Sequence, residues 1–200
     1  MIADAFAWVG TALIVTLNLP QVWRTCVQGL SAGVPAARAW VAIAVAEVWL
    51  GYGLYSAIAV QVVLNATVLL LNAALLTRLP RTRTRFWGLA VLATGLGVAL
   101  LHAGGGTLAV GAAGALSGSL LCLPQLLAVR RTDAVDGVSR ASLWLQTAGA
   151  LCWLTYGLLR LETVVWVPNV FVLATTVATL VTIGPAPREA LTGKGLPLSA

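Results

Sequence analysis

The chain contains an internal repeat in which the second copy follows the first at a constant offset of 104 residues, without a gap. A duplicated unit built from apolar helices places a binding site between its two copies, where matching residues face each other. In a membrane protein this arrangement indicates first a transporter. The recurring residues are Pro20-Gln21 and Pro124-Gln125, Gly33-Val34 and Gly137-Val138, Trp40 and Trp144, Trp49-Leu50 and Trp153-Leu154, Tyr52-Gly53-Leu54 and Tyr156-Gly157-Leu158, and Asn65 and Asn169.

The composition places most of the chain in lipid. Hydrophobic residues make up 60% of the sequence and charged residues only 9%, whereas about a quarter of a soluble domain is charged. There is too little polar surface to cover a water-soluble globule, so the bilayer acts as the solvent. Asp4 lies where a signal peptide would carry positive charge, and we therefore interpret the first apolar segment as a membrane span.

The apolar segments predict an all-α membrane protein with seven transmembrane helices. Each segment has about 18–22 residues, enough to cross a hydrocarbon core of ~30 Å. Three segments form each repeat unit, and the fourth restores the chain direction, so the two units run parallel in a 3+1+3 layout. The segments are 5–23, 39–58, 60–78, 86–103, 107–128, 142–160 and 163–183. The units are 1–80 and 107–184, the linker helix is 81–106, and 185–200 is expected to be a disordered tail.

The basic residues orient the chain. With the N-terminus outside, eleven of the twelve Lys and Arg residues lie in inner loops and the inner tail, and only Arg160 lies outside. The positive-inside rule therefore predicts an external N-terminus and a cytoplasmic C-terminus. Eleven of these twelve residues are Arg, which favours a GC-rich bacterial source, and we expect an integral protein of a bacterial plasma membrane.

Two tryptophan–asparagine pairs, each sixteen residues apart, are candidates for a binding pocket. They are Trp49 with Asn65 and Trp153 with Asn169. Each Trp is near the middle of its span and each Asn is in the next, antiparallel span, so the four side chains converge near mid-membrane. An indole face stacks on the C–H face of a sugar, and a carboxamide offers a donor and an acceptor to hydroxyls. The alternative is that the Asn residues bond between helices and the Trp residues fill space.

A Leu-Pro-Gln step ends the first and fifth spans. Pro20 and Pro124 each remove a backbone donor and loosen the helix, and the amide of Gln21 or Gln125 is placed to satisfy a freed carbonyl. Two equivalent loosened helices suit a protein whose halves rock to open alternately. The alternative is that each proline only marks a helix end.

These motifs resemble the PQ-loop superfamily and, within it, the SWEET sugar transporters, over nearly the whole chain. Bacterial SemiSWEETs usually have one three-span unit and dimerise, and this chain resembles a fused form. The resemblance implies facilitated diffusion of mono- or disaccharides by alternating access, without an ion gradient. It implies that the two Trp–Asn pairs contact sugar and that Pro20 and Pro124 act as hinges. It also implies pocket positions one and two turns before each proline, at Thr16, Leu13, Leu120 and Ser117.

Glu47 is the only acidic residue well inside a span, which makes it a candidate proton-coupling group. It lies about 200° around the helix from Trp49, so the two side chains do not point at one pocket. The alternative is a carboxyl that is hydrogen-bonded to a neighbouring helix or held neutral. At the outer end of span six, Arg160 and Glu162 form either an outer gate or a solvated surface pair.

Other classes of function find no support in the sequence. It has no Ser/His/Asp set, carboxylate pair or metal-ligand cluster, so we expect no enzyme, no metal and no cofactor. The basic loops lack interleaved aromatic residues, so we expect no nucleic acid. Three hypotheses remain: a sugar uniporter, a proton-coupled carrier of amino acids or other small polar solutes, and a membrane receptor or scaffold. One chain has both halves of a site, which does not forbid a homo-oligomer.

Overall fold

A computed structural model describes residues 1–31, 36–79, 84–131 and 140–183, without the side chains of 84–87 and 120–131. Within these residues the chain forms six α-helices and no strand, so the all-α prediction is confirmed. The recurring Gly33-Val34 and Gly137-Val138, the side chains of Pro124 and Gln125, and the tail 185–200 lie outside what is described. The helices are α1 (Ile2–Val22), α2 (Ala36–Tyr55), α3 (Ala59–Leu76), α4 (Thr84–Arg131), α5 (Arg140–Arg160) and α6 (Thr163–Thr182).

Five helices in the described part of the chain are long and apolar enough to cross a membrane, where the sequence predicts seven spans. Two physical reasons account for the difference. The predicted fourth and fifth spans belong to one long helix, α4, and α5 carries polar residues such as Gln146 and Thr147 in its interior. The five stretches are Ile2–Val27, Ala36–Tyr55, Ala59–Leu76, Gly88–Ser119 and Thr163–Thr182.

Helix α4 reverses its direction at Gly106. At about 1.5 Å per residue a straight helix of this length would reach ~72 Å, more than twice a hydrocarbon core. Gly106 has φ 65° and ψ −163°, a conformation that only glycine adopts readily. The contacts of α4 with α2 show the reversal. Before Gly106, His102 stacks on Tyr55, whereas after it Gly114 and Gly118 lie against Trp49 as the chain returns.

The short connections within the two repeat units have the same geometry. Ala57, after α2, and Leu161, after α5, both have φ 55° and are 104 residues apart. The N–H group that follows each of them reaches back to a glycine carbonyl: Ile58 to Gly53 at 2.9 Å, and Glu162 to Gly157 at 2.8 Å. The duplication in sequence is therefore a duplication in backbone structure at these turns.

Each unit packs its first helix against the second helix of the other unit. Helix α1 contacts α5, and the half of α4 after Gly106 contacts α2. In both interfaces a glycine faces a tryptophan at close range. A Cβ atom added at Gly10 would be 3.0 Å from Trp153, and one added at Gly114 would be 3.0 Å from Trp49. Gly10 and Gly114 are also 104 residues apart, so the interface is reciprocal, like the isologous contact of a two-fold dimer.

The bundle has two ends that differ in packing. We call them the Asp4 end, where α1 begins and α2 and α5 finish, and the Arg140 end, where α2 and α5 begin. Buried apolar side chains are concentrated toward the Asp4 end, including Ala7, Tyr52, Tyr156 and Val110. The units are therefore held together more closely at the Asp4 end.

Candidate functional site

A cavity of about 250 Å³ lies between the two repeat units. All four residues of the predicted tryptophan–asparagine pairs contribute to its wall. Most of the other lining residues also come in pairs that are 104 residues apart. These pairs are Ile14 and Gly118, Gln61 and Val165, Leu64 and Pro168, and Val68 and Val172; Ala42, Val45 and Ala46 complete the wall. The cavity therefore lies on the axis that relates the two copies.

The two tryptophans are held by the same contacts in both units. Trp49 packs edge to face on Tyr52, with ring centroids 5.8 Å apart and an interplanar angle of 87°. Trp153 packs on Tyr156 in the same manner, at 5.5 Å and 79°. Such edge-to-face pairs stabilise a fixed ring orientation. One turn away, toward the Asp4 end, both tyrosines are buried, at 3% and 4% exposed.

The two asparagines have identical local hydrogen bonds. Asn65 Nδ2 donates to the Gln61 carbonyl and Asn169 Nδ2 to the Val165 carbonyl, each at 2.8 Å and each four residues back along the helix. A carboxamide has two N–H donors and an oxygen that accepts two hydrogen bonds. The intrahelical bond uses one donor, so a second N–H and the oxygen of each amide are available to a molecule in the cavity.

Gln61 is a polar residue at the cavity that the sequence interpretation missed. It is buried, and its Oε1 atom has no hydrogen-bond partner within the described residues. The signal was present in the sequence, because Gln61 precedes Asn65 by four residues and therefore shares its helix face. Its counterpart in the second unit is Val165, so the 104-residue repeat alone does not reveal it. The cavity is consequently more polar on the side of the first unit.

Two of the predicted pocket residues lie away from this cavity. Thr16 is exposed on α1 and is absent from the cavity wall, because its direction on the helix differs from that of Ile14. Ser117 lines a second cavity, next to α2 and the first half of α4. The neighbouring residue Gly118 reaches the first cavity instead. The resemblance also implies Leu13 and Leu120 as pocket residues. Leu13 is absent from this wall, and the side chain of Leu120 lies outside the described residues.

Two polar contacts join the units at the Asp4 end. The Tyr52 hydroxyl donates a 2.8 Å hydrogen bond to Glu162 Oε2. Arg160 Nη2 donates to Asp4 Oδ1 at 2.6 Å. The sequence predicts that Arg160 and Glu162 form either an outer gate or a solvated surface pair with each other. Instead, each of the two residues binds a partner in the first unit, so both contacts bridge the interface.

Glu47 is half-buried on α2 but is absent from the wall of the cavity. This placement agrees with its angle of about 200° from Trp49 on the helix. Its Oε2 atom is buried and has no hydrogen-bond partner within the described residues. A carboxyl group that is left unpaired in this environment is costly when charged. Its role in coupling stays a prediction.

The proline steps lie inside helices rather than at their ends. Helix α1 continues past Pro20 to Val22, and a π-helical turn, Trp23–Val27, follows it directly. Helix α4 continues past Pro124 to Arg131. Gln21 makes no side-chain hydrogen bond to the described residues, so the expected repair of a freed carbonyl by this amide is not seen. π-Helical turns often occur at functional sites, and the hinge role of Pro20 stays a prediction.

Comparison of the chain with models of known protein families gives no match, and a search among curated proteins finds no significant match either.

Proposed function

We propose that this protein is a membrane carrier that moves a small sugar, a mono- or disaccharide, by facilitated diffusion and alternating access. The observation that carries the proposal is the cavity of about 250 Å³, to which the two repeat units contribute equivalent Trp and Asn side chains. A site built from both halves changes its exposure when the halves move relative to each other. A site within one unit would not respond to that motion.

The proposed topology has seven membrane crossings in a 3+1+3 layout, with α4 making two of them on either side of Gly106. The reciprocal packing of α1 on α5 and of the second half of α4 on α2 supports this layout. The first half of α4 is then the linker crossing. The Asp4 end faces outward and the C-terminus lies in the cytoplasm of a bacterial cell, as the distribution of basic residues favours.

The polarity of the cavity supports a neutral polyhydroxylated solute. The two indoles offer faces for the C–H side of a ring, while the free groups of Asn65, Asn169 and Gln61 offer donors and acceptors for hydroxyls. Among the described residues, no Lys, Arg, Asp or Glu side chain contributes to the wall, so these residues offer no ionic partner to an anionic or cationic solute. This lining favours sugars over amino acids, whose charged groups would need such partners.

We interpret the contacts at the Asp4 end as one state of the proposed cycle. With the Tyr52–Glu162 and Asp4–Arg160 contacts in place, the outer side is closed and solute exchanges toward the Arg140 end. Breaking both contacts allows α1 and α5 to separate at the outer end. The π-helical turn after Pro20 is a place where α1 can bend during this motion.

The test is uptake of radiolabelled glucose and sucrose into proteoliposomes that contain the purified protein. Asn65→Ala and Asn169→Ala should each lower the initial rate about tenfold, because each removes hydrogen bonds to the solute. Asn72→Ala is the matched control. Asn72 is also buried on α3 and also donates to a carbonyl four residues back, but it does not line the cavity. Wild-type rates in both cavity variants would reject the proposed site.

A proton-coupled carrier is a second candidate, which the unpaired buried oxygen of Glu47 favours. Uptake driven by a pH gradient, measured in wild type and in Glu47→Gln, separates the two. A uniporter shows no dependence of accumulation on the gradient in either protein. A coupled carrier accumulates solute and loses this ability on substitution. Solute binding without flux in the same vesicles would instead favour a receptor or scaffold.

A further inference from the structure

A second cavity of about 250 Å³ lies beside the first, between α2 and the half of α4 that precedes Gly106. Val45 contributes to the walls of both cavities, and Ser117 and Gly118, neighbours on the second half of α4, line one each. The two spaces are therefore separated by a single layer of side chains. The second cavity has no role in the carrier cycle proposed above.

The second cavity extends along the helices rather than across them. Its residues on α2 run from Trp40 to Val48 on one helix face, a length of about 12 Å at ~1.5 Å per residue. Trp40 is about 6 Å from the start of α2 at Ala36 by the same rise. Since α2 crosses the bilayer, the cavity reaches from near one membrane interface to near the bilayer centre. This is the path that the acyl chain of a lipid follows.

The wall is apolar apart from three side chains. The hydroxyls of Thr94 and Ser117 already donate to carbonyls of their own helices, at 2.9 Å and 3.0 Å. The third is Trp40, whose Nε1 atom is buried and has no hydrogen-bond partner within the described residues. An apolar cavity of about 150 Å³ already binds benzene or xenon and excludes water. A larger apolar cavity between membrane-spanning helices suits a hydrocarbon chain, with one donor at its interfacial end.

We propose that this cavity binds one acyl chain of a membrane phospholipid, with the Trp40 indole N–H donating to an ester carbonyl of that lipid. Indoles at the membrane interface have an apolar ring and one polar donor, which matches the boundary between chain and ester. The ester group of a phospholipid occurs at that boundary. The lipid then fills the space between the linker helix and α2 and completes the hydrogen bonding of Trp40.

The second repeat unit offers matched controls for this site. Trp144 and Ala148 on α5 correspond to Trp40 and Ala44 on α2 at the offset of 104. Within the described residues no counterpart of the linker helix covers α5, and Trp144 is 63% exposed. Ordinary lipid contacts both faces, whereas the second cavity lies against α2. The comparison therefore separates a bound lipid from the surrounding bilayer.

The first experiment is photolabelling with a phosphatidylcholine that carries a diazirine in its acyl chain. The protein is reconstituted with this lipid, extracted and washed with excess detergent, irradiated, and mapped by peptide mass spectrometry. We expect label on α2 and on residues 88–105, well above the label on α5. Ala44→Leu, which fills the cavity, should reduce this label about tenfold, whereas Ala148→Leu should leave it unchanged. Equal labelling of α2 and α5, or no effect of Ala44→Leu, would overturn the proposal.

A second variant guards against misfolding of the filled protein. Trp40→Phe keeps an aromatic ring but removes the donor, so the lipid should be lost about fivefold faster during the wash. Trp144→Phe should have no effect. Equal retention in both variants would refute the hydrogen bond to the ester. None of these measurements uses transport, so their outcome is independent of whether the protein carries sugar.

Discussion

The two repeat units match at the cavity and differ at the Asp4 end. At the cavity each unit contributes one Trp and one Asn with the same local contacts. At the Asp4 end only Tyr52 among the four residues of the two polar contacts recurs, as Tyr156. Glu162 corresponds to Ile58, Arg160 to Ser56, and Asp4 to Leu108. The sequence duplication is therefore retained at the cavity and lost at the Asp4 end.

The reason lies in the residues that would repeat each polar contact. A two-fold arrangement makes each off-axis contact twice, with residue i of one unit on residue j of the other and the reverse. The counterpart of the Tyr52–Glu162 bond would join Tyr156 to Ile58, which has no polar side chain. The counterpart of the ion pair is lost in the same way, because neither corresponding residue is charged. Each polar contact at the Asp4 end is therefore made once, whereas the Trp and Asn contacts at the cavity are made twice.

The largest expected effect tests whether the two interfaces between the units are equivalent. Gly10→Leu and Gly114→Leu each force a side chain against a tryptophan of the other unit. Overpacking of this kind should lower the free energy of unfolding by about 3 kcal/mol, and the two values should agree within about 1 kcal/mol because the contacts are equivalent. Unfolding in mixed micelles, followed by circular dichroism, measures both. A large effect at only one glycine would break the equivalence of the two interfaces.

The next effect tests the contacts at the Asp4 end, which differ between the units. Tyr52→Phe removes the hydrogen bond to Glu162 and should cost about 2 kcal/mol of unfolding free energy. Tyr156→Phe is the matched control, since the Tyr156 hydroxyl has no hydrogen bond within the described residues and its loss should be close to neutral. The same unfolding assay applies. Equal losses would show that the Asp4 end is closed symmetrically, against the contacts seen.

A smaller effect compares the packing inside the units. A Cβ atom at Gly157 would lie 2.7 Å from the Trp166 backbone nitrogen, whereas one at Gly53 would lie 3.1 Å from the Val62 nitrogen. Gly157→Ala should therefore be more destabilising than Gly53→Ala, by about 1 kcal/mol. Thermal unfolding of the two variants side by side measures the difference. The opposite order would mean that α5 and α6 separate more easily than α2 and α3.

The smallest effect concerns the exposed ion pair. Asp4 is 40% exposed and Arg160 49%, and solvated pairs of this kind contribute little to stability. Asp4→Asn should leave the midpoint of thermal unfolding within experimental error, in contrast to Tyr52→Phe. A clear decrease would show that the ion pair, rather than the tyrosine contact, holds the Asp4 end closed.

The sequence predicted those parts of the fold that depend on local periodicity and on the repeat. The apolar runs indicated the helices to within a few residues, and the 104-residue offset brought Trp49, Asn65, Trp153 and Asn169 to one cavity wall. The offset also relates Gly10 to Gly114, a recurrence in the sequence from which we made no prediction. Repetition is informative here because equivalent residues meet at an axis.

The parts that the sequence did not reveal depend on contacts without a repeat. Gln61 corresponds to Val165, so its place on the wall depends on helix direction alone. Thr16 and Ser117 were assigned by distance from a proline, which does not specify the direction of a side chain around the helix. The bond between Tyr52 and Glu162 joins residues that are 110 apart. No local pattern in the sequence encodes such a contact.

The most direct test of the central claim is a cross-link across the Asp4 end. Cysteines replace Tyr52 and Glu162 in a protein whose native Cys26, Cys122 and Cys152 are changed to alanine. A short bifunctional thiol reagent with a cleavable disulfide then joins the two units, and sugar flux into proteoliposomes is measured before and after cleavage. The account predicts that flux stops when the units are joined and returns on reduction. Unchanged flux with the cross-link fully formed would contradict a cavity that opens by separation of the two units.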